Sequence, residues 1–275
     1  MRPDHARPGA IEMPSASRFR STAPFYARFR PRYPAALYAR IAERCELDGS
    51  GRLLDLGCGP AFIAIGMARY FRELLGMDPD PEMLVMARHE ASFAGVTLKL
   101  TQGGSEDLDA ALGSFAMAAM GRSFHWMDRD ATLRKLNELI APHGCVALLG
   151  ERALDVRENS WKTVLNEAAK KWAPEQAQAR EFRRGPAWEK NETVLSRSRF
   201  SRIERLGVAY SRETSLDELV GRAYSMSVTS PAVLGQNRAA FEHELRTGLS
   251  RLEPSGRFVE SVEAEALLAW RTPGQ

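Results

Sequence analysis

The chain of 275 residues is long enough for one large domain or for a domain with a cap, and its 44% hydrophobic and 27% charged residues are typical of soluble globular proteins. No apolar run reaches the roughly 18 residues that cross a bilayer, and residues 1–10 contain no hydrophobic signal core. The net charge of +3 is spread along the chain, so it gives no indication of nucleic acid binding. We therefore expect a soluble, cytoplasmic protein without a membrane partner.

The cysteine pattern argues against two common ways of stabilising a small domain. Cys45, Cys58 and Cys145 are odd in number and widely spaced, with no C-x-x-C pair and no set of histidines nearby. Such spacing indicates neither a disulfide framework nor a zinc site. We expect no bound metal.

The first half of the chain shows the pattern of repeated βαβ units. Residues 1–20 have no hydrophobic periodicity and are expected to form a loose tail, and residues 21–50 are expected to be helical, with a helix after Pro34. From Arg52 onward, short apolar runs alternate with helical stretches, which indicates a parallel sheet. Strands are predicted near 52–56, 73–77, 96–101, 115–120 and 144–150, with helices over 62–70, 81–91 and 129–140.

The second half of the chain departs from this alternation. Residues 158–185 predict an amphipathic helical insertion, within a lid that spans 152–198. Residues 199–275 then predict a strand over 200–212, helices over 215–225 and 231–252, and a final strand over 258–270. The predicted fold class is α/β, a doubly wound, seven-stranded, mostly parallel sheet with a cofactor-binding core at 51–151 and a helical lid insertion.

One glycine motif carries most of the functional information. The segment Leu53–Ala61, with the sequence LLDLGCGPA, ends the first predicted strand and leads directly into a helix. A strand, a sharp glycine turn and a helix N-terminus bring backbone close to a ligand at the carboxyl edge of a parallel sheet. A dinucleotide fold would need a small residue where this chain has Phe62, and the phosphate-binding G-x-x-x-x-G-K-[ST] loop is absent.

An acidic residue stands at the end of the second predicted strand. Asp78 follows Gly57 by 21 residues, and a carboxylate at that spacing can accept hydrogen bonds from both hydroxyls of a ribose. Asp78 is therefore the strongest single candidate for a ligand-binding residue.

These motifs resemble those of a known enzyme family. The segment Asp55–Pro60 resembles the first motif of class I S-adenosylmethionine-dependent methyltransferases, with Ala61 at the position of their usual third glycine. The stretch 121–128, GRSFHWMD, and the stretch 30–34, RPRYP, resemble segments of small-molecule members such as the trans-aconitate methyltransferases. The resemblance covers roughly residues 24–151 and implies S-adenosylmethionine as the cofactor.

The resemblance also implies which residues bind the cofactor. Arg30 or Tyr26 would hold its carboxylate, since a guanidinium pairs with a carboxylate in a planar fork, although an exposed arginine beside a turn is the simpler alternative. Met83 would lie beside the adenine or pack in the core, and Ser105 and Glu106 would meet the adenine edge or lie in a surface loop. The full predicted set is Tyr26, Arg30, Asp55, Gly57, Cys58, Gly59, Asp78, Pro79, Met83, Ser105, Glu106, Gly121 and Arg122.

Methyl transfer from a sulfonium is an in-line displacement, so the protein mainly has to align the two reactants and exclude water. An acceptor hydroxyl or ammonium must also lose a proton. His125, near the carboxyl edge of the sheet, is the candidate general base, because imidazole titrates near neutral pH. The alternative is that His125 and Trp126 only form a wall of the pocket.

The sequence favours a small-molecule acceptor, methylated on oxygen or nitrogen. The D/N-P-P-Y/F/W motif of DNA amino methylation and the paired glutamates of protein arginine methylation are both absent after the fourth predicted strand. RNA or protein substrates, or a non-catalytic cofactor-binding role, stay as alternatives.

Only six of the 38 basic residues are lysine, a bias typical of GC-rich coding that favours natural-product tailoring, with a sugar or a carboxylate as acceptor. The sequence is compatible with a homodimer.

Overall fold

A seven-stranded sheet forms the centre of the protein, for which the computed structural model describes residues 21–183 and 185–272. The strands are Arg52–Leu56 (β1), Glu73–Asp78 (β2), Lys99–Gln102 (β3), Phe115–Gly121 (β4), Ile140–Ala153 (β5), Arg202–Ser215 (β6) and Arg257–Trp270 (β7). Their order is β3-β2-β1-β4-β5-β7-β6. The first five strands pair in parallel, whereas β7 runs antiparallel to both β5 and β6. The predicted α/β class with a mostly parallel seven-stranded sheet is confirmed.

Helices cover the sheet and build a layer above its carboxyl edge. In the described ranges they are Ala23–Phe29 (α1), Ala35–Arg44 (α2), Phe62–Met67 (α3), Pro81–Phe93 (α4), Arg129–Leu139 (α5), Trp161–Trp172 (α6), Pro174–Phe182 (α7), Asn191–Ser196 (α8), Leu216–Tyr224 (α9), Pro231–Leu234 (α10) and Arg238–Leu252 (α11). Within these ranges, no helix has the length and apolar character that a membrane crossing requires.

The sheet is buried on both faces, which explains why its parallel strands are continuous apolar runs. Leu53 of β1 belongs to the core on one face, together with residues of α2 and α3, and its neighbour Leu54 belongs to the core on the other face, together with α5. Each face therefore has its own hydrophobic core, and the strand ends are held in fixed positions between them.

A third core lies above the sheet and includes the lid. Trp161, Leu165 and Ala168 place one apolar face of α6 against α9 and α11, where Tyr224 and Phe241 complete the cluster. This face has the three- and four-residue spacing of an amphipathic helix. The lid helix α6 is thus anchored to the C-terminal helices, although 43 residues lie between the end of α6 and the start of α9 in the sequence.

The starts of two strands differ from the sequence prediction by three or more residues. β3 begins at Lys99 rather than 96, because the Val96 N–H donates to Ala91 O at 2.9 Å and closes the end of α4 around Gly95, whose φ is +66°. β5 begins at Ile140 rather than 144, and its pairing with β4 is irregular between Phe115 and Met117. The tail predicted for residues 1–20 lies outside the described residues.

Two of the three cysteines meet in the fold. Cys45, after α2, has its Sγ atom 3.5 Å from Sγ of Cys145 in β5, and both are free thiols. Their separation of 100 residues gave no indication of this contact, which depends on how α2 packs against the sheet.

Arg271 closes the C-terminal end of α5, the helix that follows the loop after β4. Its guanidinium donates to Asn137 O, in the last turn of α5, at 2.5 Å, and to the carbonyls of Ile140 and Ala141 just beyond the helix at 2.7 and 2.8 Å; it also donates to Asn137 Oδ1 at 2.8 Å. Carbonyls at a helix end have no partner within the helix, so a cation that satisfies several of them stabilises the fold. Arg271→Ala should lower the free energy of unfolding by about 2–4 kcal/mol in urea denaturation.

Arg257→Ala is the control for this prediction. The Arg257 side chain is 82% exposed and approaches Glu213 only to 3.9 Å, so its loss should change the free energy of unfolding by less than about 0.5 kcal/mol. Equal effects of the two substitutions would contradict the role given to Arg271.

Candidate functional site

The glycine turn after β1 is fixed by its neighbours on both sides. The N–H groups of Gly57 and Cys58 both donate to Met77 O in β2, at 2.8 and 3.1 Å. On the other side, Ser123 Oγ donates to Leu56 O at 2.8 Å, and a Cβ at Gly57 would lie 2.6 Å from the Cβ of Ser123. Gly57 also has a φ of +66°, so both its backbone conformation and the lack of space require glycine. The turn therefore holds the ends of β1, β2 and β4 together.

Ala61 stands where the methyltransferase motif usually has its third glycine. It adopts a left-handed conformation with a φ of 59°, directly before α3. An alanine in this region costs roughly 1–2 kcal/mol, which the surrounding structure has to offset. The turn thus keeps a glycine-like backbone although its last residue is not glycine.

Asp78 lies at the end of β2 with its carboxylate over the turn. Its Oδ2 accepts the Gly59 N–H at 2.8 Å and its Oδ1 accepts the Asp80 N–H at 2.9 Å. The residue is 8% exposed, and burial raises the pKa of its carboxyl group, while the two backbone bonds oppose that change. Asp78, Pro79 and Met83 all line one large cavity above the carboxyl edge of the sheet.

Residues after β3 and β4 form the next part of the cavity wall. A short 3-10 helix, Ser105–Asp107, presents Ser105 and Glu106, and a second one, Phe124–Trp126, presents His125. The imidazole of His125 packs against the indole of Trp126, with ring centroids 4.5 Å apart. These loops lie at the cavity because the parallel strands before them end at the same edge.

The N-terminal helix α1 adds two residues from outside the sheet. Its aromatic face docks on α9, with the ring centroids of Phe25 and Tyr224 5.1 Å apart, and this places Tyr26 and Arg30 at the cavity. The Arg30 guanidinium lies 5.2 Å from the centre of the Tyr26 ring. Helix α1, at the start of the described chain, thus packs against α9, which lies near its end.

Arg30 and Arg122 form a half-buried pair of like charges in the wall of the cavity. Within the described part of the chain neither forms an ion pair, and the Nε atom of each is buried without a hydrogen-bond partner. Burial and the neighbouring charge of Arg122 lower the pKa of Arg30 to about 10. Burial would raise the pKa of Tyr26, but the two guanidinium groups lower it below its ordinary value. Arg122 also has a left-handed backbone, with a φ of 59°.

The lid forms part of the wall of the cavity, which has a volume of about 1120 Å³. Trp161, Leu165 and Asn166 of α6 line it from above, and β5, β6 and β7 continue its floor beyond β4. Of the fourteen residues predicted for the site, twelve line this one cavity: Tyr26, Arg30, Gly57, Gly59, Asp78, Pro79, Met83, Ser105, Glu106, Gly121, Arg122 and His125.

The other two predicted site residues, Asp55 and Cys58, do not line the cavity. Asp55 is 1% exposed, and its Oδ2 accepts the Ala64 N–H of α3 at 3.0 Å. Cys58 is buried against β2, where its Sγ would lie 3.1 Å from a Cβ at Gly76. Both side chains therefore face away from the cavity and support the glycine turn from the opposite side. Successive residues of a strand or turn point in different directions, so the residues of one motif need not face the same ligand.

Sequence reasoning missed the residues on the far side of the cavity. They are Glu151 of β5, Arg212 of β6, Arg222 of α9, Glu260 of β7 and Trp161 of the lid. One signal was present in the sequence. Glu260 lies two residues from both Phe258 and Val262, so it points to the same buried face of β7, where the alternation predicts an apolar residue.

The burial of Asp55 predicts a pH dependence of stability. Burial raises the pKa of its carboxyl group to about 8, with the Ala64 hydrogen bond opposing the shift. Between about pH 4 and about pH 8 the unfolded chain releases this proton while the folded chain keeps it, so stability should fall as pH rises. Asp55→Asn should remove this fall. As the pH rises, the free energy of unfolding of the variant should therefore increase relative to that of the native protein, by up to about 1.4 kcal/mol per pH unit. The stabilities of the native protein and of Asp55→Asn are measured by urea denaturation at several pH values in this range. If the two stabilities change with pH in parallel, Asp55 has no such shift.

Comparisons with known proteins agree with this geometry. Residues 53–144, about a third of the chain, match the family model of the methyltransferase domain. A Dictyostelium discoideum protein described as a methyltransferase is 21% identical over 217 residues, or 76% of each chain. The ubiquinone biosynthesis O-methyltransferase of Azorhizobium caulinodans is 34% identical over 94 residues, which are 34% of this chain and only 37% of that enzyme.

A solved structure extends the likeness beyond the matched domain. A protein from Anaeromyxobacter dehalogenans described as a type II methyltransferase superposes with a TM-score of 0.56, covering 88% of this chain and 98% of the other. The two sequences are 18% identical, so this likeness shows the fold alone.

Proposed function

We propose that the chain, whose residues 53–144 match the model of the methyltransferase domain, is a class I S-adenosylmethionine-dependent methyltransferase that methylates an oxygen or nitrogen atom of a small molecule bound beneath the lid. The observation that supports this most directly is the single cavity that runs from Asp78 to the lid. Its volume of about 1120 Å³ lies above the roughly 300–1,000 Å³ of a typical small-ligand pocket. The cavity therefore has room for a cofactor and a second small ligand side by side.

The residues of the cavity fit the chemical groups of S-adenosylmethionine. Arg30 and Arg122 offer two half-buried guanidinium groups, each with a buried Nε and without a carboxylate partner among the described residues, and the cofactor carries one carboxylate. Asp78 offers a carboxylate for the ribose hydroxyls, and Gly59, with open space at its missing Cβ, allows close approach of a ligand to the backbone. Met83 supplies an apolar surface for the adenine.

When bound, S-adenosylmethionine supplies a methyl group already activated on a sulfonium. The protein residues therefore need only position and enclose the reactants. Arg30 and Arg122 fix one end of the cofactor site, and Asp78 fixes the other. The lid helix α6 covers the cavity, and the lower access of water strengthens the electrostatic interactions inside it.

His125 is proposed to accept the proton that an acceptor hydroxyl or ammonium must release. It lines the cavity in the loop after β4, directly beyond the switch point of the sheet between β1 and β4. An imidazole in general exchanges protons near neutral pH, which suits this task.

A small acceptor is favoured over a macromolecule because α6 and α9 both lie over the cavity and share one core. The ubiquinone biosynthesis enzyme, a partial relative of this chain, is an O-methyltransferase. The RPRYP and HWMD stretches resemble trans-aconitate-type methyltransferases and lie at the cavity through Arg30 and His125. We therefore propose tailoring of a metabolite or natural product, such as a sugar or a carboxylate.

Calorimetric titration tests the cofactor site. S-adenosylmethionine should bind in the micromolar range, whereas NAD should not bind, since Phe62 blocks the turn that a dinucleotide needs. Asp78→Ala should weaken S-adenosylmethionine binding about tenfold or more, because it removes charge-assisted bonds to the ribose.

Asp109→Ala is the matched control for Asp78→Ala. Asp109 also accepts a backbone N–H two residues ahead, from Ala111 at 2.8 Å, but it lies outside the cavity. Its substitution should leave the affinity for S-adenosylmethionine unchanged. Unchanged affinity in Asp78→Ala, or binding of NAD in place of S-adenosylmethionine, would contradict the proposal.

A further inference from the structure

The cavity has two sides that follow the strand order of the sheet. The predicted cofactor residues come after β2, β1, β3 and β4, on one side of the cavity. On the other side, its floor is made by the ends of β5, β7 and β6, which carry Glu151, Glu260 and Arg212. Because no predicted cofactor residue belongs to β5, β6 or β7, this second side is the place for the acceptor.

A network of alternating charges covers this floor. Arg212 donates to Glu151 through two bonds of 2.9 and 2.8 Å, and its Nε donates to Glu260 at 2.6 Å. The other carboxylate oxygen of Glu260 accepts a hydrogen bond from Arg222 of α9. Glu151 also accepts the Tyr210 hydroxyl at 3.0 Å. Both carboxylates and the whole guanidinium of Arg212 are thus engaged with one another.

Two buried N–H donors remain beside this network without a partner. Nε of Arg222 and Nε1 of Trp161 have no hydrogen-bond acceptor, although Trp161 is only 4% exposed and the Arg222 side chain only 12%. Unpaired buried donors are uncommon in folded proteins, because each costs free energy. Both residues line the cavity, one from α9 and one from the lid helix α6.

The Arg222 and Trp161 side chains are neighbours, and both cations and the Glu260 carboxylate lie around them. The Arg222 guanidinium carbon is 5.7 Å from the centre of the Trp161 ring, and the Lys162 ammonium is 5.6 Å from the same ring. Burial lowers the pKa of Arg222, with Glu260 opposing the change and Arg212 adding to it. The two N–H groups can be satisfied only by a ligand group that accepts hydrogen bonds. Three cations (Arg212, Arg222 and Lys162) stand against two carboxylates (Glu151 and Glu260) here, and the excess of one positive charge favours an anion.

We propose that Trp161 and Arg222 form the subsite for an oxyanion of the acceptor, a carboxylate or a phosphate, so that the enzyme methylates an anionic small molecule. The inference rests on the proposed function and adds the chemical class of the acceptor. The oxyanion accepts from Nε1 of Trp161 and Nε of Arg222, and the acceptor is held between the lid and the sheet with its reactive atom toward β4.

Anion binding to the protein saturated with S-adenosylhomocysteine tests the subsite. Inorganic phosphate and succinate, titrated separately by calorimetry, represent the two kinds of oxyanion. At least one of them should bind, and the stronger of the two identifies the kind that the subsite prefers. Binding that disappears once S-adenosylhomocysteine saturates the protein would place the anion on Arg30 and Arg122, and would overturn the inference.

Two variants assign the binding to the proposed donors. Trp161→Phe keeps an aromatic ring in the core but removes the indole N–H together with part of the ring system, so it should weaken anion binding about tenfold. Arg222→Lys keeps a cation for Glu260 but has no Nε–H in the same position, and it should weaken anion binding to a similar extent. Both variants should keep the affinity of the native protein for S-adenosylhomocysteine.

Trp172→Phe is the matched control in the same helix. The Trp172 Nε1 donates to Glu244 at 2.9 Å, and Trp172 does not line the cavity, so its substitution should not change anion binding. Equal weakening by Trp161→Phe and Trp172→Phe, or no anion binding to the saturated native protein, would overturn the subsite and leave the cofactor site intact. Failure of the native protein to bind S-adenosylhomocysteine would instead contradict the proposed function itself.

Discussion

The close approach of the Gly57–Ala61 turn to β2 and to the loop after β4 is the constraint on which the cavity depends. The turn donates two N–H groups to Met77 O, and Gly57 leaves no space for a side chain beside Ser123. Because of this contact, the carboxyl ends of three strands meet at one point, and Asp78 receives the Gly59 N–H at 2.8 Å. A side chain at Gly57 would separate the strand ends and move the carboxylate away from the site.

Charge divides the cavity into two parts with different tasks. On the side of β4, Arg30 and Arg122 are half-buried like charges without an ion pair in the described residues, and we propose that a cofactor carboxylate binding between them makes this arrangement favourable. On the side of β5 to β7, Glu260 is fully buried but lies between Arg212 and Arg222, so its charge is compensated within the protein. We propose that the first part holds the cofactor; in the second part the paired charges hold α9 on the sheet, and the unpartnered Nε–H of Arg222 is the proposed contact for the acceptor.

The sequence predicted the features that are local along the chain. The strand, glycine turn and helix at 52–67 and the acid at Asp78 follow from short-range patterns, and so does the seven-stranded α/β fold. Asp55 and Cys58 were assigned to the ligand with the rest of their motif, because a motif alone does not say which side of a turn each residue faces. The structure places them behind the turn.

Contacts between segments that are distant along the chain could not be predicted from the sequence. Arg212 and Glu260 are 48 residues apart and meet only because β6 and β7 pair along their whole length. The position of Tyr26 and Arg30 depends on the docking of α1 on α9, for which the sequence gives no pairing signal. Glu260 is an exception, because its position on the buried face of β7 can be read from the alternation of the strand. A buried carboxylate in a strand requires a cation nearby, so a partner such as Arg212 could have been expected.

A crystal structure of the protein with S-adenosylhomocysteine tests the central claim most directly, namely that one cofactor spans β2, β1 and β4 and leaves the floor of β5 to β7 open. The account predicts that the ribose hydroxyls contact the Asp78 carboxylate and that the amino-acid carboxylate contacts Arg30 or Arg122. It also predicts that Trp161 and Arg222 do not touch the cofactor. A cofactor whose carboxylate lies on Arg222, or whose ribose lies away from Asp78, would contradict it.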